Sequence, residues 1–451
     1  MNVSDSKDTI CAIATPLGIG AVSIIRLSGK DSVKIANKIF NKNLYRCNSH
    51  TVHFGKILDK NKNIIDRVIL ILMLSPRSYT KEDVIEIHTH GNILISKKIL
   101  DLLVERGARL AKPGEFTYRA FINGKIDLTQ AEAVQSLISA KNEKALLIAK
   151  DHLEGKLSKT ISFFKKKLLE IASILDAYIE FPEEELDLNK DKIKKRLYLL
   201  KKKMDFLIKT FFYGKKLFDK TSLAIIGTTN VGKSTLMNVL SKKEKAIVTN
   251  IHGTTRDILE EEIILNSLNL KLIDTAGIRD TKEEIEEEGI KRSKKILKNS
   301  DFFLLLLDAE KGINKDDLSI LKMIDLKKTL ILWNKIDLKK DPKKLPYDNV
   351  YHISAKKNVG IDLLKKKIEK LIMKDLPDKE EVVLIEKRHK EIIKKARDSL
   401  ENAIKNVEEN NFIEIISEDI KISLNYLYSL LKGDLKEDIL STIFSKFCIG
   451  K

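Results

Sequence analysis

Residues 227–234 read GTTNVGKS, and the meaning of that stretch decides the fold. It fits the spacing G-x-x-x-x-G-K-[ST], with the apolar run 223–226 before it as a predicted strand and helical character over 235–240 after it. A strand, a tight turn and a helix in that order make a cradle for phosphate, because the amides at the helix start point outward and carry partial positive charge. Gly227 and Gly232 let the backbone wrap closely where a Cβ would clash. The pattern assigns Asn230, Val231, Gly232 and Thr235 to the nucleotide. It assigns Lys233 to the β- and γ-phosphates as a catalytic cation, and the Ser234 hydroxyl to Mg2+.

Downstream motifs identify the base. DTAG (Asp274, Thr275, Ala276, Gly277) follows the predicted strand 270–273, where Asp274 can reach the metal through water and the Gly277 amide can sense a γ-phosphate. Between the two motifs lies the polar run Thr249, Asn250, Ile251, His252, Gly253, Thr254 and Thr255, in which Thr255 completes the Mg2+ shell when triphosphate is present. NKID (Asn334, Lys335 and Asp337 among it) closes the apolar strand 330–333. The Asp337 carboxylate can accept from both N1–H and N2–H of guanine, a pair that adenine lacks, and an unpaired acceptor makes the wrong base costly. SAK (Ser354, Ala355, Lys356) supplies the second clamp on guanine. These parts, in this order, predict a GTPase with Mg2+.

The residue after DTAG carries mechanistic weight. A glutamine there orients the attacking water in Ras-type enzymes. Here it is Ile278, which has no donor or acceptor, so the acidic stretch 283–288 is the nearest supply of a water-positioning group. No arginine finger is obvious, although Arg256 and Arg279 are close in sequence. A monovalent cation can substitute for such a charge, with oxygen donors from Asn230 and the stretch 249–254.

The chain has 451 residues, a net charge of +18 and an isoelectric point near 9.4. That length allows two or three domains with their own cores. Two readings of the charge stand: an anionic partner such as RNA, or a lysine-rich composition spread over the chain. Cys11, Cys47 and Cys448 show no metal spacing, which fits a reducing cytoplasm. No export signal is evident, and the longest apolar runs, 68–74 and 302–307, fall far short of the ~18 residues of a membrane span.

Outward from the phosphate loop, residues 1–118 read as an α+β domain, with strands expected at 21–27, 52–58, 68–74 and 84–88 and a helix over 93–106 that stops at Gly107. Arg26 and Glu86 sit inside two of those strands, a placement that suits either sheet-edge charge or a site. Residues 131–140, 145–153 and 163–179 carry the i, i+3, i+4 spacing of amphipathic helices, and 190–216 resumes as a basic helix after the acidic turn FPEEE at 181–185. Residues 379–451 are helical again. Neither helical block buries both its apolar faces alone, so the two read as one bundle with the nucleotide domain inserted. The expected boundaries are 1–118, 119–216, 217–375 and 376–451, a multi-domain α+β and α/β protein. Cys448, flanked by Lys446 and Lys451, is either a partly ionised nucleophile or a buried helix-end thiol.

With these residues in view, the chain resembles the MnmE (TrmE) family of tRNA-modification GTPases. The likeness runs through ATPLGIGAVSIIRLSG (14–29), KPGEFTYRAFINGKIDLTQAEA (112–133), FPEEE and FCIGK (447–451). It implies an N-terminal domain that dimerises and binds 5-formyltetrahydrofolate, a discontinuous helical domain, and an inserted Ras-like GTPase domain driven by K+ and by pairing of two such domains. It also implies an FAD-dependent MnmG-type partner, joined as a heterotetramer in the cytoplasm. Together they would install a carboxymethylaminomethyl or aminomethyl group at C5 of the wobble uridine of certain tRNAs. By the same resemblance, Arg26, Glu86, Lys125 and Lys451 fall at the folate, and Asn230, Thr249, Ile251 and Thr254 at K+. Ser234 and Thr255 fall at Mg2+, Glu286 at the hydrolytic water, and Cys448 at the family's terminal cysteine, for which a catalytic role is implied. The chain departs from the family at Thr229, usually proline, at LGIG, which lacks an Arg-Gly-Gly, and at HGN (90–92) in place of HGG.

The runner-up is an Era-like RNA-binding GTPase of ribosome assembly, which normally carries an RNA-binding module after the nucleotide domain. The mixed-charge helical block at 379–451 is not such a module. A membrane-remodelling GTPase would need an exposed apolar tip or tail, and none is seen in the sequence.

Overall fold

In the computed structural model, which describes residues 8–181, 189–241, 260–274, 300–339, 342, 344–373, 382–432 and 437–450, the first element is a short apolar strand, ICAI. The chain divides into two units: Met1–Ile138 with Ala149–Lys201 and Ile392–Lys451, and Ser139–Ile148 with Lys202–Glu391.

The first unit contains a mixed sheet of β1 (Ile10–Ile13), β2 (Val22–Ser28), β3 (Thr51–Leu58), β4 (Ile64–Met73), β5 (Val84–His90) and β6 (Arg109–Leu110), ordered β3-β4-β5-β2-β1-β6. All neighbours are antiparallel except β1 and β6. Strand alternation sends Ile25 and Leu27 of β2 into a core beneath α1 (Ser32–Asn37) and α2 (Ile93–Glu105). Each such side chain contributes about 1.5–3 kcal/mol by leaving water. Arg26, between them, points to the opposite face and pairs in register with Glu86. Asn92 starts α2 by accepting from the Leu94 and Ile95 amides at 2.8 and 3.4 Å. Gly107, with φ +111°, follows the helix end, as the sequence suggested.

Helices α3 (Glu115–Ile122), α4 (Leu128–Ser139), α5 (Glu143–Leu153), α6 (Lys156–Glu180) and α7 (Lys190–Phe218) come next. α6 begins well before the expected 163, because Gly155, with φ +80°, makes the turn into it. Its stripe of Leu157, Ile161, Phe164, Leu168, Ile171 and Leu175 is buried.

The second unit is built on β7 (Thr221–Ile226), β8 (Glu260–Leu265), β9 (Leu268–Asp274), β10 (Phe302–Asp308), β11 (Thr329–Asn334) and β12 (Val350–His352), with α8 (Lys233–Ser241), α9 (Lys315–Met323) and α10 (Ile361–Ile372). Strand order is β12-β11-β10-β7-β9-β8, all parallel except β8 with β9. β10 and β11 are nearly continuous apolar runs, as expected of strands covered on both faces. GTTNVGKS, Asp274, Asp308 and NKID therefore all lie at carboxyl ends of parallel strands, where ligands of such sheets bind.

α11 (Lys387–Glu408), α12 (Ile413–Lys432) and α13 (Glu437–Phe444) complete the described chain. Within the first unit α12 lies on α6, where Asp176 accepts from Ser417 and Lys421, both at 2.8 Å, and Lys165 stands 3.6 Å over the Tyr428 ring. Phe444 is fully buried among Tyr118, Phe121 and Phe447, with ring centroids 5.3, 6.4 and 5.4 Å away. No helix among the described residues is long and apolar enough to cross a membrane.

Candidate nucleotide-binding site and an N-terminal arginine corner

The phosphate loop needs backbone that only certain residues adopt without strain. Gly227, Asn230 and Gly232 have φ of +148°, +59° and +99°. A Cβ on Gly227 would meet the Leu306 carbonyl at 2.5 Å, and one on Gly232 would meet Asn334 Nδ2 at 2.4 Å. The glycines therefore answer to the neighbouring strand and to NKID as well as to phosphate. Val231 is buried below the loop, Ser234 and Thr235 are exposed on the first turn of α8, and Lys233 is 7% exposed. The Lys233 ammonium donates to the Gly227 and Thr228 carbonyls at 2.9 and 2.7 Å, so it lies across the loop it is expected to serve.

Asn334 is buried, and its amide joins two motifs. Its Nδ2 donates to the Val231 carbonyl at 2.7 Å, and its Oδ1 accepts from the Ala355 amide at 3.0 Å. The base site is thereby fixed to the phosphate site. Ser354, fully buried, donates to Asp337 Oδ1 at 2.6 Å, and accepts at Oγ from the Lys357 amide at 3.1 Å. That bond from Ser354 is the main reason the Asp337 carboxyl stays below its ordinary value, with Lys357 and Lys356 adding to the effect. Asp337 and Lys356 are exposed, so Asp337 is ionised, oriented and open to a base.

Sequence reasoning missed two acids behind this clamp. Asp308, buried at the end of β10, accepts from Lys335 at 2.7 Å and from the Glu310 amide at 3.0 Å. Burial raises its pKa, but Lys335 and the backbone amides outweigh that and leave it lowered. Asp317, 1% exposed, accepts from the Asn314 amide at 3.1 Å in a reciprocal cap at the start of α9. Burial pushes its carboxyl up, and repulsion from Asp316 and Asp308 adds to that, against bonds from Asn314 and Thr228. A lone acid closing the apolar run FFLLLLD was the available signal for Asp308.

Thr249, Asn250, Ile251, His252, Gly253, Thr254, Thr255, Thr275, Ala276, Gly277, Glu286 and Lys451 lie outside the described residues, as does the side chain of Asp274. Among the described residues no group of three or more His, Cys, Asp or Glu is placed to hold a metal ion.

Far from NKID in sequence, Arg26 makes a second constellation in the first unit. Its Nε donates to Glu86 Oε1 at 2.8 Å, its Nη2 approaches the same oxygen at 2.7 Å, and its Nη1 donates to the Gly450 carbonyl at 3.3 Å. Its guanidinium stands 5.5 Å from the Tyr79 ring centroid and 5.6 Å from that of Phe116. The Lys125 ammonium donates to the Ser78 carbonyl and lies 6.0 Å from the same Tyr79 ring. Burial, and secondarily Lys81, hold Lys125 below its ordinary value. The fold thus gathers Arg26, Glu86 and Lys125 around Tyr79, which sequence reasoning did not name. Cys448 is exposed, and its carbonyl accepts from the Gly114 amide at 3.4 Å.

Known proteins resemble the chain over nearly its whole length. The model of the MnmE helical domain matches residues 128–448, and that of the GTP-binding protein TrmE N-terminus matches residues 9–125. A protein named tRNA modification GTPase MnmE from Protochlamydia amoebophila is 46% identical over 449 residues, 98% of each chain. Those of the same name from Acetivibrio thermocellus and Streptococcus thermophilus are 39% and 40% identical, over 99% and 100% of each chain. Among solved structures, an Aquifex aeolicus Era variant bound to GDP·AlF4− is 28% identical, covering 40% of this chain and 66% of that chain, with a TM-score of 0.28.

Proposed function

The chain belongs to the MnmE family of tRNA modification GTPases, and from that premise we propose that it hydrolyses GTP to support modification of the wobble uridine of certain tRNAs. A carboxymethylaminomethyl or aminomethyl group would be added at C5 of that uridine, together with an FAD-dependent MnmG-type protein. The observation that carries the reading is the joining of a pre-oriented guanine clamp and an arginine corner in one chain whose relatives align from end to end.

In this reading the chain comprises 1–118, which dimerises and binds folate, helical segments 119–216 and 376–451, and an inserted GTPase domain at 217–375. Ser234 and Thr255 would hold Mg2+, which neutralises charge on the β- and γ-phosphates. The exposed Ser234 beside a loop too tight for Cβ atoms fits that role. Asn230, Thr249, Ile251 and Thr254 would hold K+, which would supply the positive charge that an arginine finger gives in other GTPases. Asn230 holds a left-handed φ of +59° within the phosphate loop. Arg26, Glu86, Lys125 and Lys451 would bind 5-formyltetrahydrofolate or a related one-carbon folate. An aromatic ring between two cations suits a flat, anionic ligand. Glu286 would accept from the attacking water, and Cys448 stays a candidate nucleophile.

Mass spectrometry of wobble uridine in tRNA from cells lacking this protein tests the proposal. The C5 modification should vanish, and its persistence would overturn the reading. Purified Glu286→Ala should lose on the order of 10²–10³-fold in kcat with KM nearly unchanged, as for removal of one positioned group.

A further inference from the structure

Helix α7 holds an unequal share of the charge. Its 29 residues contain eleven Lys and Arg against two Asp, a net +9, half of the chain's +18. Glu183, Glu184, Glu185 and Asp187 precede the helix and leave the stretch 182–218 at +5. By contrast the 25-residue α6 carries five lysines against three acids. A compositional bias alone would load the helices more evenly.

In the part of α7 that belongs to the first unit, two polar flanks differ. On one flank the cations are used within the fold: Lys194 pairs with Glu408 at 2.8 Å, Lys201 with Glu401 at 2.9 Å, and Lys190 donates to Asn410 at 3.3 Å. On the other, Lys192, Lys195, Arg196 and Leu199 follow the i, i+3, i+4, i+7 spacing and are all exposed, Leu199 at 60%. None of these three cations makes an ion pair among the described residues. The half-buried Glu170 of α6 reports the field beside them. Its carboxyl is held below its usual value first by the bond from Lys167 and then by the charges of Lys167, Lys166 and Arg196.

We infer that this flank, centred on Lys192, Lys195 and Arg196 with Lys166 beside them, is a docking surface for the phosphate backbone of an RNA. The inference rests on the reading of tRNA as substrate and adds where the RNA is held. Cations spaced along one helical face follow a backbone of regularly spaced phosphates, and their contribution comes from releasing condensed counterions. The exposed Leu199 and Tyr198, at 60% and 58%, offer flat or apolar contact to sugars and bases between those charges. An acidic protein partner would match the charge too, but would not give the salt dependence set by a polyanion.

Fluorescence anisotropy with labelled, unfractionated bacterial tRNA, titrated with the full-length protein from 50 to 200 mM KCl, tests this. The triple variant K192E/K195E/R196E should lose on the order of 10-fold or more in affinity at the low-salt end, and its slope of log K against log salt should flatten by about 2–3. Its GTP hydrolysis and melting temperature should stay as in the parent. K192R/K195R should bind as the parent does. K365E/K366E on α10 serves as the control for unspecific charge, and should change binding less than twofold. Unchanged affinity and slope in the triple variant, with the parent binding tRNA, would overturn the surface and leave the proposed function standing. A parent that binds no tRNA would instead sink both. Loss of a protein partner with tRNA binding intact would assign the flank to that partner and reject the RNA.

Discussion

The guanine clamp and the arginine corner are assembled in opposite ways. In the clamp, three short motifs at strand ends make the site, and one buried amide, Asn334, joins two of them. In the corner, Arg26 meets Glu86 sixty residues on and Gly450 a further stretch of the chain away. The first is a local device that a parallel sheet presents once its strands are aligned. The second depends on the docking of a distant segment, so its geometry is only as firm as the packing of residues 444–450 on α3.

Four substitutions break or sharpen that contrast. Phe444→Ala removes a fully buried ring from the cluster with Tyr118, Phe121 and Phe447. It should cost about 3–5 kcal/mol in the first unit, as large-to-small changes of buried aromatics do, and release Gly450 from Arg26 while GTP still binds. Differential scanning calorimetry beside a nucleotide titration reads both, and equal loss of GTP binding would abolish the distinction. Asp337→Asn should weaken GTP on the order of 10²-fold or more and shift preference toward xanthine nucleotides, because a site built to pair two donors rejects mismatches strongly. Unchanged selectivity would mean that the clamp lies elsewhere.

Ser354→Ala tests how much of the clamp is orientation. It leaves Asp337 in place without its 2.6 Å donor, and GTP affinity should fall roughly fivefold, the worth of about one net hydrogen bond. A loss as large as that of Asp337→Asn would show that Ser354 meets the base directly. Because the folded-state pKa of Asp337 is lowered, the carboxylate persists as pH falls from 8 to 5, so guanine selectivity should stay flat over that range. Asp317→Asn is the smallest change and has the opposite sign. A carboxyl whose folded pKa is raised gives stability below its unfolded value, 3.8, and loses it as pH rises through the folded value. The amide should therefore raise the melting temperature slightly at pH 8 and not at pH 4. A lower melting temperature at pH 8 would show that the charge is used.

The two sites also differ in how far they could be read beforehand. GTTNVGKS, NKID and SAK were legible because each function rests on residues adjacent in sequence and on strand ends that apolar runs mark plainly. Boundaries moved by a residue or two, as for β11, which reaches Asn334. The arginine corner was reached only through family resemblance. Nothing local in VSIIRLS tells a sheet-edge arginine from one seated between Tyr79 and Phe116. Strand β1, four residues long, and the two-residue β6 were not foreseen, since β1 becomes a strand only by pairing with β2 and β6, and β6 only by pairing with β1. The early start of α6 at Lys156 was hidden for a simpler reason. Lys156, Ser158 and Lys159 blur the apolar spacing that Leu157 and Ile161 begin.

The contact between Arg26 and the Gly450 carbonyl spans 424 positions, and proteins are made in order. At about 5–20 residues per second, roughly 20–85 s pass on the ribosome between the two residues. Through that interval the sheet around Arg26 can form with Glu86, but the corner lacks its last oxygen. A chain stopped after Lys357 but before Gly450 therefore carries the residues of a guanine clamp without a finished corner. Completion of the corner marks a molecule whose synthesis has run at least to residue 450, a late step set by the order of translation.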